Sequence, residues 1–263
     1  SCTISRAGDY LLGTWLHVVT PLVELDNTAA NTNKTRISWT PNFMHALVKE
    51  CCITFNDLVA ARFDSSHLDF WAAFTVPAGK QAGYARMIGA NLPTAGTSLL
   101  PQVCNLPLPF FYTRDSGVAL PTAALPYNEM RINFTFREAR ELIVGFNDEK
   151  QDISENCFTT NEMIVKKSTT DITYKTEPKL SANAVQVWAN YAIVSNEERK
   201  RMACAPRDIL IEQVQSMPTY AFSQNYSSAA NTTLQTNVSL DIRFSHAVKV
   251  LFFAARNTSN KMV

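Results

Sequence analysis

The chain has 263 residues, of which 46% are apolar and only 18% charged, and its 24 Lys and Arg almost balance 23 Asp and Glu to leave +1. That length can bury a substantial core in one large or two modest domains, while a charge content below the roughly 25% of ordinary soluble domains leaves neutral surface suited to self-association. The balance excludes a basic nucleic-acid face: the longest basic run, Arg199-Lys200-Arg201, follows directly on Glu197 and Glu198, so no direct nucleic-acid contact is expected.

Thr3, Ile4 and the segment from Tyr10 to Thr20 make a β-rich start that Pro21 closes. A polar loop from Asp26 to Lys34 follows. Thr40 and Pro41 imitate a helix start, but Cys51-Cys52-Ile53-Thr54-Phe55 continues the run with β-branched and aromatic residues, and Phe43 to Cys51 is read as strand. Asn56-Asp57, both tolerant of positive φ, predict a tight hairpin between Ile53–Phe55 and Leu58–Ala60. Asp64 to Phe74 breaks the β pattern. Asp64 or Ser65 can cap a short helix there, with Leu68, Trp71 and Ala72 on one face.

Pro77 to Pro109 scatters Gly79, Gly83, Gly89 and Gly96 among Pro93, Pro101 and Pro107, the composition of a long excursion from a rigid core. The loop Asn105 to Tyr112 runs into the turn Asp115-Ser116-Gly117. From Met130, Ile132, Phe134 and Phe136 alternate with Arg131, Asn133, Thr135 and Arg137, as in a half-buried antiparallel strand. Asn147 to Ser181 is polar and charged and is read as the domain boundary. The expected division is a first domain over 1–165, a linker over 166–183 and a second domain over 184–263.

Val185 to Ile193 predicts the strand that opens that second domain. Ser195 and Glu198 form a capping box for a brief helix from Glu197 to Ala203. Strands are expected at Ile209–Val214 and Leu240–Phe244, separated by a loop over Pro218 to Asn237. Val248 to Ala255 is apolar on both faces and predicts a strand covered on both sides. Many short strands, turn-rich connections and brief helices together describe an all-β sandwich or jelly roll, with the order of elements repeated weakly.

Reactive chemistry finds little support. No G-x-S-x-G occurs for a Ser/His/acid hydrolase. His45 and Cys51, on one strand as read here, would lie about 20 Å apart at roughly 3.3 Å per residue. Cys51 and Cys52 point to opposite faces, so they cannot share a tetrahedral metal site and read as buried thiols. His17, His45, His67 and His246 lack the i, i+4 spacing of ligands and read as satisfied core or interface residues. Arg114 and Asp115 read as turn chemistry, with Arg114 pairing across the loop. Leu106 to Tyr112 could line a cofactor groove or form a rigid packing plug, and proline-fixed φ with a row of aromatics favours the plug. No catalytic, cofactor-binding or metal-binding residue is expected.

Cys2, Cys51, Cys52, Cys104, Cys157 and Cys204 are scattered without a secreted framework's spacing, so free thiols in a reducing compartment are expected. The sequons at Asn33, Asn133, Asn225, Asn231, Asn237 and Asn257 are read as chance products of a chain rich in Asn, Ser and Thr. No signal peptide or membrane span is visible. The chain reads as an internal piece of a longer protein, expected to aggregate by itself because an unfinished barrel exposes strand edges.

The motifs Arg6-Ala7-Gly8-Asp9-Tyr10-Leu11, Trp39 with Asn42 and His45, Ile53 to Leu58, Leu68-Asp69-Phe70-Trp71, Asn105 to Arg137, Ser195 to Arg199, Ile209 to Gln213 and Leu240 to His246 follow one another in an order that resembles the major capsid protein of large nucleocytoplasmic double-stranded DNA viruses, iridovirus type. Ala139 and Ala247 depart from the Trp and Pro of that pattern. The resemblance implies two consecutive jelly rolls, the first lacking its start and the second truncated here. It implies no enzyme but a late viral structural protein: a homotrimer forming pseudo-hexagonal capsomers, which meet neighbouring capsomers and minor capsid proteins in an icosahedral shell over an internal membrane. The virion capsid, assembled in the host cytoplasm, would be its location. The competing reading is a jelly-roll carbohydrate- or receptor-binding module using the loops at Pro77–Cys104 and Pro218–Asn237; a hydrolase on the same scaffold is the remote third.

Overall fold

A computed structural model describes residues 1–26, 35–90, 92, 96–125, 129–147, 165–167, 174–205, 208–218, 220 and 239–254. The strands are β1 (Cys2–Thr3), β2 (Tyr10–Val19), β3 (Val23–Glu24), β4 (Thr35–Trp39), β5 (Val48–Phe55), β6 (Leu58–Asp64), β7 (Ser98–Leu99), β8 (Val103–Pro107), β9 (Met130–Phe136), β10 (Ile143–Asn147), β11 (Val165–Lys167) and β12 (Val185–Ala192). The helices are α1 (Phe43–Leu47), α2 (Ser65–Thr75), α3 (Ala78–Met87) and α4 (Asn196–Cys204), with short 3-10 turns between. The chain divides into two compact units, one built on Ser1–Gln213 and one on Val214–Arg256.

In the first unit a four-stranded sheet runs in the order β1-β9-β5-β6 and a three-stranded sheet in the order β12-β2-β8. Smaller sheets, β11-β10-β4 and β3-β7, complete it. The named pairings within these sheets are antiparallel. The alternation read along Met130 to Phe136 is realised in β9, where Met130 and Ile132 are buried and Arg131 is half-buried. On β2, Leu11, Thr14, Leu16 and Val18 turn into the core while Trp15 and His17 stay half-buried on the other face.

The proline-rich loop ties the two larger sheets together. Leu106, Leu108, Phe110, Phe111 and Tyr112 are buried. The Phe110 ring lies 5.1 Å from Phe63 of β6, and the Tyr112 hydroxyl sits 2.9 Å from Thr14 Oγ1 of β2. Phe110 and Tyr112 stack on each other at 5.7 Å. The segment therefore plugs the sandwich from within, with apolar rings filling volume and one hydroxyl pair satisfying the buried polar atoms.

The hairpin forms where the dipeptide predicts it: Asn56 and Asp57 have φ of 48° and 67°, the left-handed values of a type I′ turn. Asp64 caps α2, its carboxylate accepting from the His67 N–H at 2.8 Å. Ser195 accepts from the Glu198 N–H at 3.4 Å at the start of α4.

Other readings are corrected. Phe43–Leu47 is a helix, not strand, and its first N–H groups are met from elsewhere in the fold: Phe43 and Met44 donate to the carbonyls of Gly89 and Ile88 at 3.3 and 3.1 Å. Asn42 precedes it in the left-handed region and offers no side-chain cap. The stretch read as excursion from Pro77 contains α3, whose Ala, Lys, Gln, Arg and Met residues outweigh the roughly 1 kcal/mol that each of Gly79 and Gly83 costs.

The strand Val185–Ala192, which composition puts at the head of a second domain, pairs with β2 from Val185↔Val18 to Ala192↔Tyr10. The expected strands at Ile209–Val214, Leu240–Phe244 and Val248–Ala255 do not form among the described residues. Val248, Val250, Leu251 and Phe253 are exposed instead of covered, Phe253 at 88%. Alternation marks a face, but a strand also needs hydrogen-bonded neighbours, and the described residues of the second unit supply none. That unit is held locally by Gln215, whose amide donates to the Ser245 carbonyl at 3.3 Å and accepts from the Ser245 N–H at 3.0 Å.

Candidate functional site

The nearest approach to a reactive constellation among the described residues is His45, Asp69 and Tyr84, brought together from α1, α2 and α3. His45 is 2% exposed. Its Nδ1 lies 2.6 Å from Asp69 Oδ1 and its Nε2 2.8 Å from the Tyr84 hydroxyl. A carboxylate only accepts, so Nδ1 carries a hydrogen and donates, and in the neutral ring Nε2 accepts from the Tyr84 O–H. Burial pushes the Tyr84 phenol up to about 12, so it stays protonated at neutral pH and is no nucleophile. The arrangement is a hydrogen-bonded post joining three helices, with no activated group at its end.

Cys51 is buried in β5, and burial holds its thiol well above the ordinary range. A neutral thiol is a poor nucleophile and metal ligand. The strand spacing that separated His45 from Cys51 does not apply, since His45 lies on a helix; both of its ring nitrogens are nonetheless taken by Asp69 and Tyr84. Among the described residues no group of three or more His, Cys, Asp or Glu could hold a metal ion.

The other singled-out residues are built into packing. His17 Nδ1 meets Asn105 Oδ1 at 2.8 Å, and its ring lies 5.4 Å from that of Trp188. His67 stacks on Trp71 at 5.8 Å, and burial lowers its pKa. His246 adopts φ 67° in the second unit. Asp115 accepts from the Gly117 N–H at 3.2 Å, as a turn aspartate does. Arg114 reaches beyond its own loop: its guanidinium lies 4.5 Å above the Trp71 ring and pairs with Glu212.

What the fold does present is neutral, partly apolar surface. Trp188 stands half-exposed beside Trp15 at 6.4 Å, and Leu58, Phe74, Val103 and Ile193 are exposed as well. Sequence reasoning found the neutrality from composition but missed the Trp15–Trp188 pair, which depends on β12 lying against β2. No helix among the described residues is long and apolar enough to cross a membrane.

Comparison with known proteins gives this surface its context. Residues 1–194 match the family model described as major capsid protein N-terminus, and residues 198–263 the model described as large eukaryotic DNA virus major capsid protein. The major capsid protein of Simulium iridescent virus is 53% identical over 99% of this chain and 52% of its own length. That of lymphocystis disease virus 1 is 42% identical over 100% of this chain and 54% of its own. The chain thus spans about half the length of the relatives it matches.

Among solved structures, PBCV-1 VP54 aligns with a TM-score of 0.55 at 19% identity, covering 81% of this chain and 42% of that one. The Faustovirus major capsid protein aligns with a TM-score of 0.53 at 10% identity, covering 76% and 52%. The shared architecture is the all-β double jelly roll. The chain belongs to the major capsid protein family of large eukaryotic DNA viruses, where it is similar to the iridovirus members.

Proposed function

We propose that the protein is a structural subunit of a virus shell and carries out no reaction of its own. Family membership over the entire chain is the observation that carries this reading. The architecture is in keeping with it: the chemistry-bearing side chains are engaged in packing, and the exposed surface is neutral and apolar enough to meet copies of itself.

In the complete protein two consecutive jelly rolls per chain give three chains six comparable faces, so that a homotrimer fills a pseudo-hexagonal place in an icosahedral lattice. The first jelly roll extends through β12, because that strand pairs with β2; the boundary we propose therefore falls after Ala192. Neighbouring capsomers and minor capsid proteins are its partners, the virion capsid above an internal membrane is its place, and the host cytoplasm is where a late product of this kind assembles. Mass measurement in solution on the complete gene product tests the reading. A stable trimer that builds sheets or shells supports it, and a sugar-binding monomer contradicts it.

A further inference from the structure

The outer edge of β12 is unpaired among the described residues, although it is built as an interior strand. β12 lies at one end of the order β12-β2-β8. The hydrogen-bonding direction of its residues follows from β2. The Leu11 N–H donates to the Leu120 carbonyl at 2.9 Å, and the Thr14 carbonyl accepts from the Leu108 N–H at 3.0 Å, so both residues aim their backbone groups toward the β8 side. Their partners across the β12 pairing, Tyr191 and Ala189, then aim theirs away from β2. By the two-residue period the same holds for Val187 and Val185.

Sheet edges are normally blunted by charge, proline, shortness or a covering element. The sequence VQVWANYA runs for eight residues with no charged residue and no proline. The other edges of the two larger sheets are managed: β1 has two residues, β6 carries Arg62 and Asp64, and β8 ends at Pro107 with α1 and α3 packed beside it. The side chains tell the same story. Val185, Val187 and Ala189 of β12 remain half-buried, whereas Leu16 and Val18 of the neighbouring β2 are fully buried. One flank of β12 is short of packing. A jelly roll carries about eight strands in a double sheet, roughly four a side, and here one sheet has four strands and the other three.

We propose that the free edge of β12 receives an antiparallel strand of the same polypeptide from outside residues 1–263, which completes the three-stranded sheet and covers Val185, Val187 and Ala189. The length argues for this occupant: relatives run to about twice the span matched here. The proposal rests on the jelly-roll fold and not on the shell-building role, so a paired edge in a protein that builds no shell would leave it standing.

Residue-resolved hydrogen exchange on the complete gene product tests it, read both in the assembled protein and after dilution to dissociated chains. The outward amides of Val185, Val187, Ala189 and Tyr191 are expected to exchange within about tenfold of the β2-facing amides of Gln186, Trp188 and Asn190 in both conditions. Outward amides exchanging about a hundredfold or more faster than the β2-facing set in both conditions would overturn the proposal. Protection present only in the assembled state would overturn it too, by assigning the edge to a second copy.

Discussion

Arg199 and Asp9 are joined by a forked ion pair across 190 residues of sequence, Nε to Oδ1 at 2.7 Å and Nη2 to Oδ2 at 2.9 Å. Asp9 is 6% exposed and also accepts from the Val194 N–H at 2.9 Å, so one carboxylate fastens the start of α4 and the end of β12 to the entry of β2. The Arg199 guanidinium, helped by the Val194 N–H, lowers the Asp9 pKa. A depressed folded-state value contributes stability in full above the ordinary carboxylate range, and that contribution is lost as pH falls through the depressed value. Asp9→Asn is therefore expected to lower the melting temperature at neutral pH, with the gap from the native protein closing on acidification. A gap that stays constant down to the acid transition would show that the charge is not what holds the clasp.

The Thr14–Tyr112 pair is the polar fastening inside the aromatic plug. Tyr112→Phe leaves Thr14 Oγ1 buried without its partner and should cost about 1–3 kcal/mol in urea unfolding. Burial raises the Tyr112 phenol, so ionisation favours the unfolded chain once pH passes about 10, and the native protein should lose stability there faster than Tyr112→Phe does.

At the β5–β6 hairpin both turn residues hold positive φ. Asp57→Gly should leave stability unchanged or raise it slightly, whereas Asp57→Val should lower it by about 1–2 kcal/mol, the cost of forcing a β-branched residue into the left-handed region. Equal melting temperatures for the two variants would contradict the type I′ assignment.

Thiol labelling separates the cysteines by environment. Cys204 is exposed, while Cys51 and Cys104 are buried, and burial pushes the Cys104 thiol up to about 11. In native protein at mildly alkaline pH, iodoacetamide should modify Cys204 and spare Cys51 and Cys104 until denaturant is added. Rapid native labelling of Cys51 would contradict its place in the core.

Local signals were legible where the chemistry is local. Asn56-Asp57, the Asp64 cap and the Ser195 cap each act within a few residues, and each is found where the sequence places it. α1 was not legible because its N-terminal N–H groups are satisfied by Gly89 and Ile88, and all but one of its five residues are buried, so no polar face betrays the helical period. β12 was legible as a strand but not as a member of the first sheet: alternation names the face a residue occupies and is silent on which strand lies beside it. The His45–Asp69–Tyr84 post joins residues 24 and 39 positions apart and follows no spacing rule. Composition alone suggested a neutral associating surface, and the Trp15–Trp188 pair gives that surface a place on the β12-β2-β8 sheet.

Electron cryo-microscopy of the complete gene product, purified and allowed to assemble, tests the central claim most directly. The account predicts trimers with pseudo-hexagonal outlines tiling into sheets or shells, each subunit resolving into two β-sandwiches whose first contains β2, β5, β9 and β12. Dispersed monomers, or subunits with a helix-dominated core gathered around a deep polar cleft, would contradict it.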